Sequence, residues 1–324
     1  MRIAFLGDLH LRDTTPKGRM DQYDIVLLSK FKFILDFCDK NKINVLIQPG
    51  DFFESVLVSV RTIRRTAFLL RSHNVKVYVV YGQHDLRYHA STTDNVPLRL
   101  FEDFGLVKRL HPDTKTPLSP LKTQTTKEKR VVGWGSSWNE DDPKGMDSKD
   151  INIWATHRMV IDNEKLWDGM KDYTLAKHLL KKNPFALIIT GDNHKSFVTN
   201  YGFRYLVNCG SLGRTNIDQA AHIPHFMIYD TGSRKLAKIR VPAKPPKEVL
   251  KIEEAKERKK KEAELAELIK GMESATKVQK KINYKAMVFG TLKKINDPAS
   301  SHMMEKIFMA AESKNMKLEL KETV

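Results

Sequence analysis

The sequence predicts an α/β protein with a helical C-terminal tail, and three observations carry that reading. Four runs rich in β-branched and aromatic residues end in glycine followed by polar groups: IAFLGDLH over 3–10, VLIQPGD over 45–51, VYVVYGQHD over 77–85 and ALIITGDNH over 186–194. Between the first two lies a stretch whose apolar residues recur at helical spacing, the pattern of a β-α-β unit. At Pro242 the composition turns rich in Lys and Glu with few apolar positions.

In chain order, a strand over 3–6 leads to a loop carrying Arg12, Lys17 and Arg19. The following helix presents Ile25, Leu28, Phe31, Ile34, Leu35 and Cys38 as one apolar stripe. A second helix over 59–72 turns Ile63, Ala67 and Leu70 inward, while Arg61, Arg64 and Arg65 share another face able to track phosphates. Residues 111–130, rich in Pro, Thr and Lys without apolar period, read as a long surface loop. Strands over 130–134 and 151–156 follow, the second ending on His157. A helix over 174–182 then precedes the 186–190 strand, and short strands near 204–207, 225–229 and 236–241 are spaced as hairpins.

The expected division is 1–241 for the main domain and 242–324 for a linker and helical tail. Pro242, Pro245 and Pro246 stiffen the start of the tail. Leu265, Leu268, Ile269, Met272 and Ala275 form a narrow stripe suited to one partner. A last helix, capped by Asp297 and Pro298, carries the broader stripe Met303, Met304, Ile307, Phe308 and Ala311. Trp134, Trp138, Trp154 and Trp167 read as packing residues and His225 as structural; His73, His178, His222 and His302 are expected on surfaces.

A chain of 324 residues, 41% hydrophobic, can bury a large core. Its net charge of +17, from 56 Lys and Arg against 39 Asp and Glu, favours a polyanionic partner, nucleic acid ahead of an anionic membrane. Two cysteines, Cys38 and Cys209, do not make a disulfide framework and fit a reducing compartment. The opening Met1-Arg2-Ile3 enters a strand directly, with no cleavable apolar segment, and no run is long enough to span a membrane. A cytoplasmic location is expected.

Strand tips that all deliver Asp, His or amide oxygen can converge those groups at one sheet edge, where α/β proteins build their sites. Carboxylate and amide oxygen suit Mn²⁺ or Mg²⁺, imidazole suits Fe, Zn or Mn, and thiolate is absent from every tip. Any one Gly-Asp pair is an ordinary turn. A set of such tips, with His157 ending a fifth, points to a metal site.

The ordered set is Asp8 and His10 in GDLH, Asp51 in GDFFE, Gln83, His84 and Asp85 in GQHD, His157, then Asp192 and His194 in GDNH, trailed by GSLGR over 210–214. It resembles the calcineurin-like metallophosphoesterases. Within them it most resembles the SbcD-type DNA nucleases, bacteriophage recombination-nuclease subunits included, over residues 1–241. GDFFE lacks the Arg-Gly of the protein phosphatases, which argues against that branch.

The resemblance implies a sandwich of two mixed β-sheets flanked by helices, holding two divalent cations, Mn²⁺ foremost and Mg²⁺ as the alternative. It implies Asp8, His10, Asp51 and His194 as ligands of one metal, and a bridging Asp51 with Gln83, His157 and Asp192 at the other. It further implies that His84 acts on the scissile phosphate and that Asp85 orients His84. Two positions depart from the family pattern, Gln83 where Asn is usual and Asp192 where His is usual, and both fall on the second metal. The expected partners are DNA, an SbcC-type coiled-coil ATPase and a second copy of the chain.

The function expected is a DNA nuclease subunit of recombination, repair or replication, acting in the host cytoplasm if phage-encoded. Two alternatives stand beside it: a small-nucleotide phosphodiesterase, for which +17 is unnecessary, and a non-catalytic DNA-binding scaffold with a degenerate second metal site. The intact His84 and Asp85 weigh against the scaffold.

Overall fold

The computed structural model describes residues 1–89, 92–119, 129–163, 165 and 169–277. Strands β1 (Arg2–Phe5), β2 (Val45–Gln48), β3 (Lys76–Val79) and β4 (Val107–Arg109) alternate with helices α1 (Tyr23–Lys40), α2 (Val60–Arg71) and α3 (Pro97–Asp103). The middle of the chain gives β5 (Thr116–Pro117), β6 (Val131–Ser136), β7 (Ile151–Thr156), the short pair β8 (Val160–Ile161) and β9 (Thr174–Leu175), helix α4 (Ala176–Lys182) and β10 (Leu187–Thr190). After them come β11 (Phe197–Tyr201), β12 (Arg204–Asn208), β13 (His225–Asp230), β14 (Lys235–Arg240), α5 (Pro246–Val249) and α6 (Ile252–Lys277).

The strands form two six-stranded sheets, ordered β14-β13-β1-β2-β3-β4 and β11-β12-β10-β7-β6-β5. In the first, β1 to β4 are parallel and β13 and β14 add an antiparallel edge. In the second, β6, β7, β10 and β12 are parallel, with antiparallel β5 and β11 outside. This is the expected α/β sandwich of two mixed sheets.

Period-two alternation in strands buried on both faces sets the layers. Ile3, Phe5, Val45 and Ile47 of the first sheet meet Ile153, Ala155, Leu187 and Ile189 of the second in the central core. The alternate residues Ala4, Leu46 and Val77 face outward onto Leu27, Phe31 and Ile34 of α1. On the far side, Trp134, Trp154 and Ile188 pack with Leu179 and Leu180 of α4. Trp154 is fully buried and donates its indole N–H to Ser136 Oγ at 3.1 Å, as a buried indole requires.

Several local expectations are corrected. The buried stripe of α1 is Tyr23, Leu27, Lys30, Phe31, Ile34, Leu35 and Cys38, while Ile25 is 45% exposed. A lysine is buried there because its ammonium donates to the Leu212 carbonyl at 3.0 Å. The fully buried positions of α2 are Thr62, Thr66 and Leu70; Ile63 and Ala67 pack at its edge. Thr66 fits inside by donating to the Thr62 carbonyl, which silences its hydroxyl. The 111–130 loop carries edge strand β5, pinned by buried Thr116 and Leu118. The helix expected from 174 begins at Ala176, because Thr174 and Leu175 pair with β8. Among the surface histidines expected, His73 and His222 are part-buried, His73 bonded to the Leu69 carbonyl and Asp36 and His222 to the Ser211 carbonyl.

The first compact unit runs Met1–Ala255, beyond the composition break at Pro242. The expected linker is docked on the body: Met20 N–H donates to Val249 O and Lys251 N–H to Gly18 O, with Val249 and Leu250 buried. The second unit, Lys256–Val324, is described through the continuation of α6, which carries the ion pairs Arg258–Glu262 and Lys260–Glu264. Leu265 and Leu268 are half-exposed along it. Trp167, His302 and the Met303–Phe308 stripe lie outside the described residues, as does the helix expected from Asp297.

The start of α2 hangs on Asp13. Its carboxylate accepts from Ser59 N–H, the Ser59 hydroxyl and the Thr62 hydroxyl, while Ser59 Oγ caps the helix by accepting Thr62 N–H at 3.3 Å. Burial works the other way, but these bonds hold the Asp13 carboxyl below its ordinary value. Asp13→Ala is therefore expected to destabilise the fold by about 1–3 kcal/mol at pH 7. A lowered folded pKa gives stability that is present above the unfolded value of 3.8 and lost as pH falls through the folded one. Urea titrations should show the wild-type advantage intact at pH 6 and shrinking below pH 3.8; a pH-independent difference would assign it to packing.

Candidate metal centre

Parallel pairing puts strand ends side by side. In the first sheet Phe5 pairs with Ile47 and Gln48 with Val79, so the loops after β1, β2 and β3 leave one edge together with Asp8 and His10, Asp51, and Gln83 to Asp85. In the second, Thr156 pairs with Thr190, so His157 and Asp192 leave its edge as neighbours. The five tips expected at one sheet edge thus come from two.

Close approach of the tips dictates the glycines. A Cβ on Gly50, which has φ of 97°, would overlap the His157 ring, and one on Gly82 would overlap the Asp51 carboxylate. His10, Asp51 and Asp192 themselves sit in the left-handed region with φ of 48°, 53° and 73°. Such backbone costs of order 1–3 kcal/mol per residue and persists where the surroundings over-determine it, a pattern concentrated at functional sites.

Asp51 is the hub. Its Oδ1 accepts the His84 backbone N–H at 3.0 Å, which leaves Oδ2 turned into the centre. That one oxygen lies 3.4 Å from His157 Nε2, 3.6 Å from His10 Nε2 and 4.0 Å from His84 Nε2. It therefore stands between the two expected ligand sets, where a bridging carboxylate has to be.

On one side His10 Nε2 and His194 Nε2 are 3.0 Å apart, and His194 Nε2 is 3.4 Å from Asp8 Oδ2. His10 Nδ1 is held by Glu54 Oε2 at 3.1 Å, which turns Nε2 inward. On the other side His157 Nδ1 donates to the Pro49 carbonyl at 2.7 Å, so its Nε2 keeps the lone pair. The two unusual positions there prove to be partners: Gln83 Nε2 donates to Asp192 Oδ1 at 2.9 Å. With its NH₂ spent on Asp192, Gln83 has only its amide oxygen to offer.

The expected role of Asp85 is corrected. Its buried carboxylate accepts from Phe52 N–H, Phe53 N–H and Gly82 N–H at 3.1, 2.9 and 3.0 Å, so it staples the Asp51 loop to the GQHD loop. The His84 ring is oriented instead by the Glu54 carbonyl, 2.9 Å from Nδ1, and Nε2 faces out from a side chain 42% exposed. Glu54 thus turns His84 through its backbone and His10 through its carboxylate, while also pairing with Arg12 at 2.9 Å. Glu54 is a functional residue that sequence reasoning misses; the available signal is a carboxylate three residues beyond Asp51 in GDFFE.

A family model described as calcineurin-like phosphoesterase matches residues 1–196. The chain belongs to that family. Calcineurin-like phosphoesterases use a dinuclear metal site, and membership supports a metal-dependent phosphoesterase. Among solved structures, the chain is similar to an archaeal phosphodiesterase at 14% identity and TM-score 0.39, covering 74% of this chain and 100% of that one. It is also similar to a hypothetical protein of Pyrococcus horikoshii at 12% identity and TM-score 0.41, covering 75% and 88%. A third is Zn²⁺-complexed Vps29 from Entamoeba histolytica, at 13% identity and TM-score 0.35, covering 74% and 98%. Likeness at these scores decides nothing about function.

The donor set of this calcineurin-like phosphoesterase fits cations. Among the described residues, Asp51 Oδ2, Gln83 Oε1 and His157 Nε2 are buried with no hydrogen-bond partner. Three lone-pair atoms in one site want a positive charge between them. The electrostatics say the same. Burial pushes the Asp8 carboxyl up to about 7. Asp51 is held below the carboxylate range because His157, His10 and His84 outweigh its burial. Against their own burial, the Glu54 carboxylate 3.1 Å from Nδ1 and the Asp51 charge raise His10 to about 9, and Asp51 raises His157 to about 10. Left to itself the site collects protons on His10 and His157, while burial and the neighbouring His10 push His194 down to about 4; cations would take the place of those protons.

Asp8, His10, Asp51 and His194 would hold one cation, and Asp51, Gln83, His157 and Asp192 the other. Gln83→Ala removes one oxygen from the second set alone. Calorimetric titration with Mn²⁺ should then show one site weakened and the other kept; two unchanged sites would exclude Gln83 as a ligand.

Proposed function

We propose that this phosphodiesterase is a Mn²⁺-dependent DNA nuclease subunit of the SbcCD type, acting in recombination, repair or replication. The observation that carries the proposal is the openness of the centre: the side chains of His84 and His194 are each 42% exposed, and beside His157 runs a cleft of about 740 Å³ whose walls mix Lys144, Arg158, Lys171 and Lys182 with Glu140, Asp141, Asp142 and Asp172, Arg158 and Lys182 being paired to Asp142. A polymer strand can cross such a site, whereas a small nucleotide would be expected to be enclosed. The net charge of +17 suits the same substrate, and Arg61, Arg64 and Arg65 are exposed on α2.

When bound, the cations supply Lewis-acid activation of water and neutralise charge on the phosphate. The chain's own residues do the rest. Asp85, through the backbone it staples, keeps the Asp51 and GQHD loops at fixed separation. The Glu54 carbonyl accepts a hydrogen bond from the Nδ1–H of His84, so that Nε2, when protonated, can donate to a phosphate or leaving oxygen entering from solvent. A scaffold role would leave this outward-facing, oriented imidazole without a task.

The partners belong to the same proposal. Leu57, Val60, Phe68 and Phe104 are large apolar side chains each at least 70% exposed, suited to a second copy of the chain. The open stripe of α6 and the tail beyond it suit the helices of a coiled-coil ATPase. Among the described residues no helix is long and apolar enough to cross a membrane.

The test is digestion of linear and hairpin DNA by the purified chain with Mn²⁺, beside hydrolysis of a small chromogenic phosphodiester. Asp51→Asn should abolish both. His84→Ala should lower both by roughly a hundredfold or more while calorimetry shows metal uptake intact. Hydrolysis of the small ester with DNA left untouched, alone and with the ATPase, would overturn the nuclease reading and leave the phosphodiesterase standing.

A further inference from the structure

A cavity of about 520 Å³ lies between α1, the loop that follows β12 and the docked segment after β14. It is lined by Arg19, Lys30 and Arg214, whose exposures are 4%, 4% and 5%, and by exposed Lys244. The one carboxylate in the lining, Asp21, is taken bidentately by Arg19. Lys30 and Arg214 are left with backbone carbonyls: Lys30 Nζ donates to Leu212 O at 3.0 Å, and Arg214 to Lys244 O. Among the described residues the buried Arg214 Nε has no hydrogen-bond partner at all. Val26, Phe33 and Val249 complete the wall with apolar surface.

Burying cations without counter-charge is costly, and a carbonyl offers only a dipole against a full charge. The strain shows on Lys30, whose ammonium is pulled down to about 7 by burial and by its neighbours Arg19 and Arg214, with Asp21 opposing. An anion in the cavity would reverse both effects. A guanidinium and an ammonium converging with an excess of positive charge match a dianionic tetrahedral phosphate. The volume exceeds what a bare phosphate fills, and the apolar wall suits the group attached to it.

We infer that this cavity binds a phosphate monoester, with Lys30 and Arg214 on the phosphate and the attached group against Val26, Phe33 and Val249. It is separate from the metal centre, and Leu212 lies between them: its N–H donates to Asp8 O at 2.9 Å and its carbonyl accepts Lys30. The inference stands independently of the nuclease reading. Two sources share the required chemistry, a free 5′-nucleotide and the 5′-phosphorylated end of DNA.

Calorimetric titration of the full chain in EDTA, which silences the metal centre, tests this with inorganic phosphate, a 5′-deoxynucleoside monophosphate, and short oligonucleotides with and without a 5′-phosphate. Phosphate and the nucleotide should bind where chloride at equal ionic strength does not, and Lys30→Met should weaken them by roughly tenfold or more. Should Lys30→Met fail to fold, Lys244→Glu, at an exposed position on the rim, should weaken them in the same order. Asp51→Asn should bind as wild type. Preference for the 5′-phosphorylated over the 5′-hydroxyl oligonucleotide assigns the ligand to a DNA end; equal binding of the two with retained nucleotide affinity assigns it to the free nucleotide. Phosphate binding that is unaltered by Lys30→Met and Lys244→Glu, or binding of an acidic peptide with none of phosphate, overturns the inference.

Discussion

One carboxylate oxygen sets the terms for the rest of the molecule. Asp51 Oδ2 has to be buried, facing inward and without a hydrogen-bond partner among the described residues, its charge balanced by the imidazoles of His157, His10 and His84 around it. Everything nearby can be derived from holding it there. Its sister oxygen is spent on the His84 amide, its backbone is left-handed, and Gly50 and Gly82 supply the space that side chains would deny it. Asp85 completes the arrangement by pinning the amides that follow Asp51 to the loop that follows β3. The parallel strands are the rigid frame that makes such tolerances possible, because each loop starts from a fixed register with its neighbour.

The tips of the strands were legible in the sequence because they obey local rules. A β-branched run followed by Gly-Asp identifies its own strand end, and the gathered residues Asp8, His10, Asp51, Gln83, His84, His157, Asp192 and His194 do lie around one centre. Less legible were features in which a polar group is buried because of a distant partner. Lys30 breaks the apolar stripe of α1 for the sake of Leu212, far along the chain. The buried face of α2 is written in Thr62 and Thr66, whose hydroxyls are satisfied by Asp13 and by the helix itself. The docking of Val249 and Leu250 under a proline-rich stretch was invisible for a related reason: two apolar residues carry no period, and their place is fixed by pairing with Gly18 and Met20. Hydrophobic periodicity reports what a segment buries on its own face, not what another segment permits it to bury.

The hydrogen bond between Gln83 and Asp192 changes how the two departures from the family pattern should be read. Taken singly, a longer amide displaces its oxygen and a carboxylate in place of imidazole adds charge to the metal. Taken as a pair, each accounts for the other. The longer stem of Gln83 lets its NH₂ reach Asp192, and that bond fixes which end of the amide faces the centre, a choice the amide alone would leave open. Asp192 in turn has one oxygen engaged by the amide, which withdraws part of the charge it would otherwise bring to a cation. Gln83 and Asp192 thus form a coupled pair, and substituting either alone leaves the other without its partner.

The GSLGR loop extends the same logic away from the metals. It sits where the two sheets' loops meet, and Leu212 turns its N–H to the Asp8 carbonyl on one side and its carbonyl to Lys30 on the other. Arg214, at the end of that loop, takes Arg19 on its carbonyl at 2.9 Å and reaches with its guanidinium to Lys244 in the docked segment. The chain of contacts therefore runs from a metal-facing loop, through one short motif, to the segment from which α6 departs. Three cations buried along that route, with one carboxylate among them, are hard to rationalise as packing, since apolar residues of similar volume would hold the same elements together at lower cost. Their placement makes sense if charge is used there, within the compact unit that runs to Ala255.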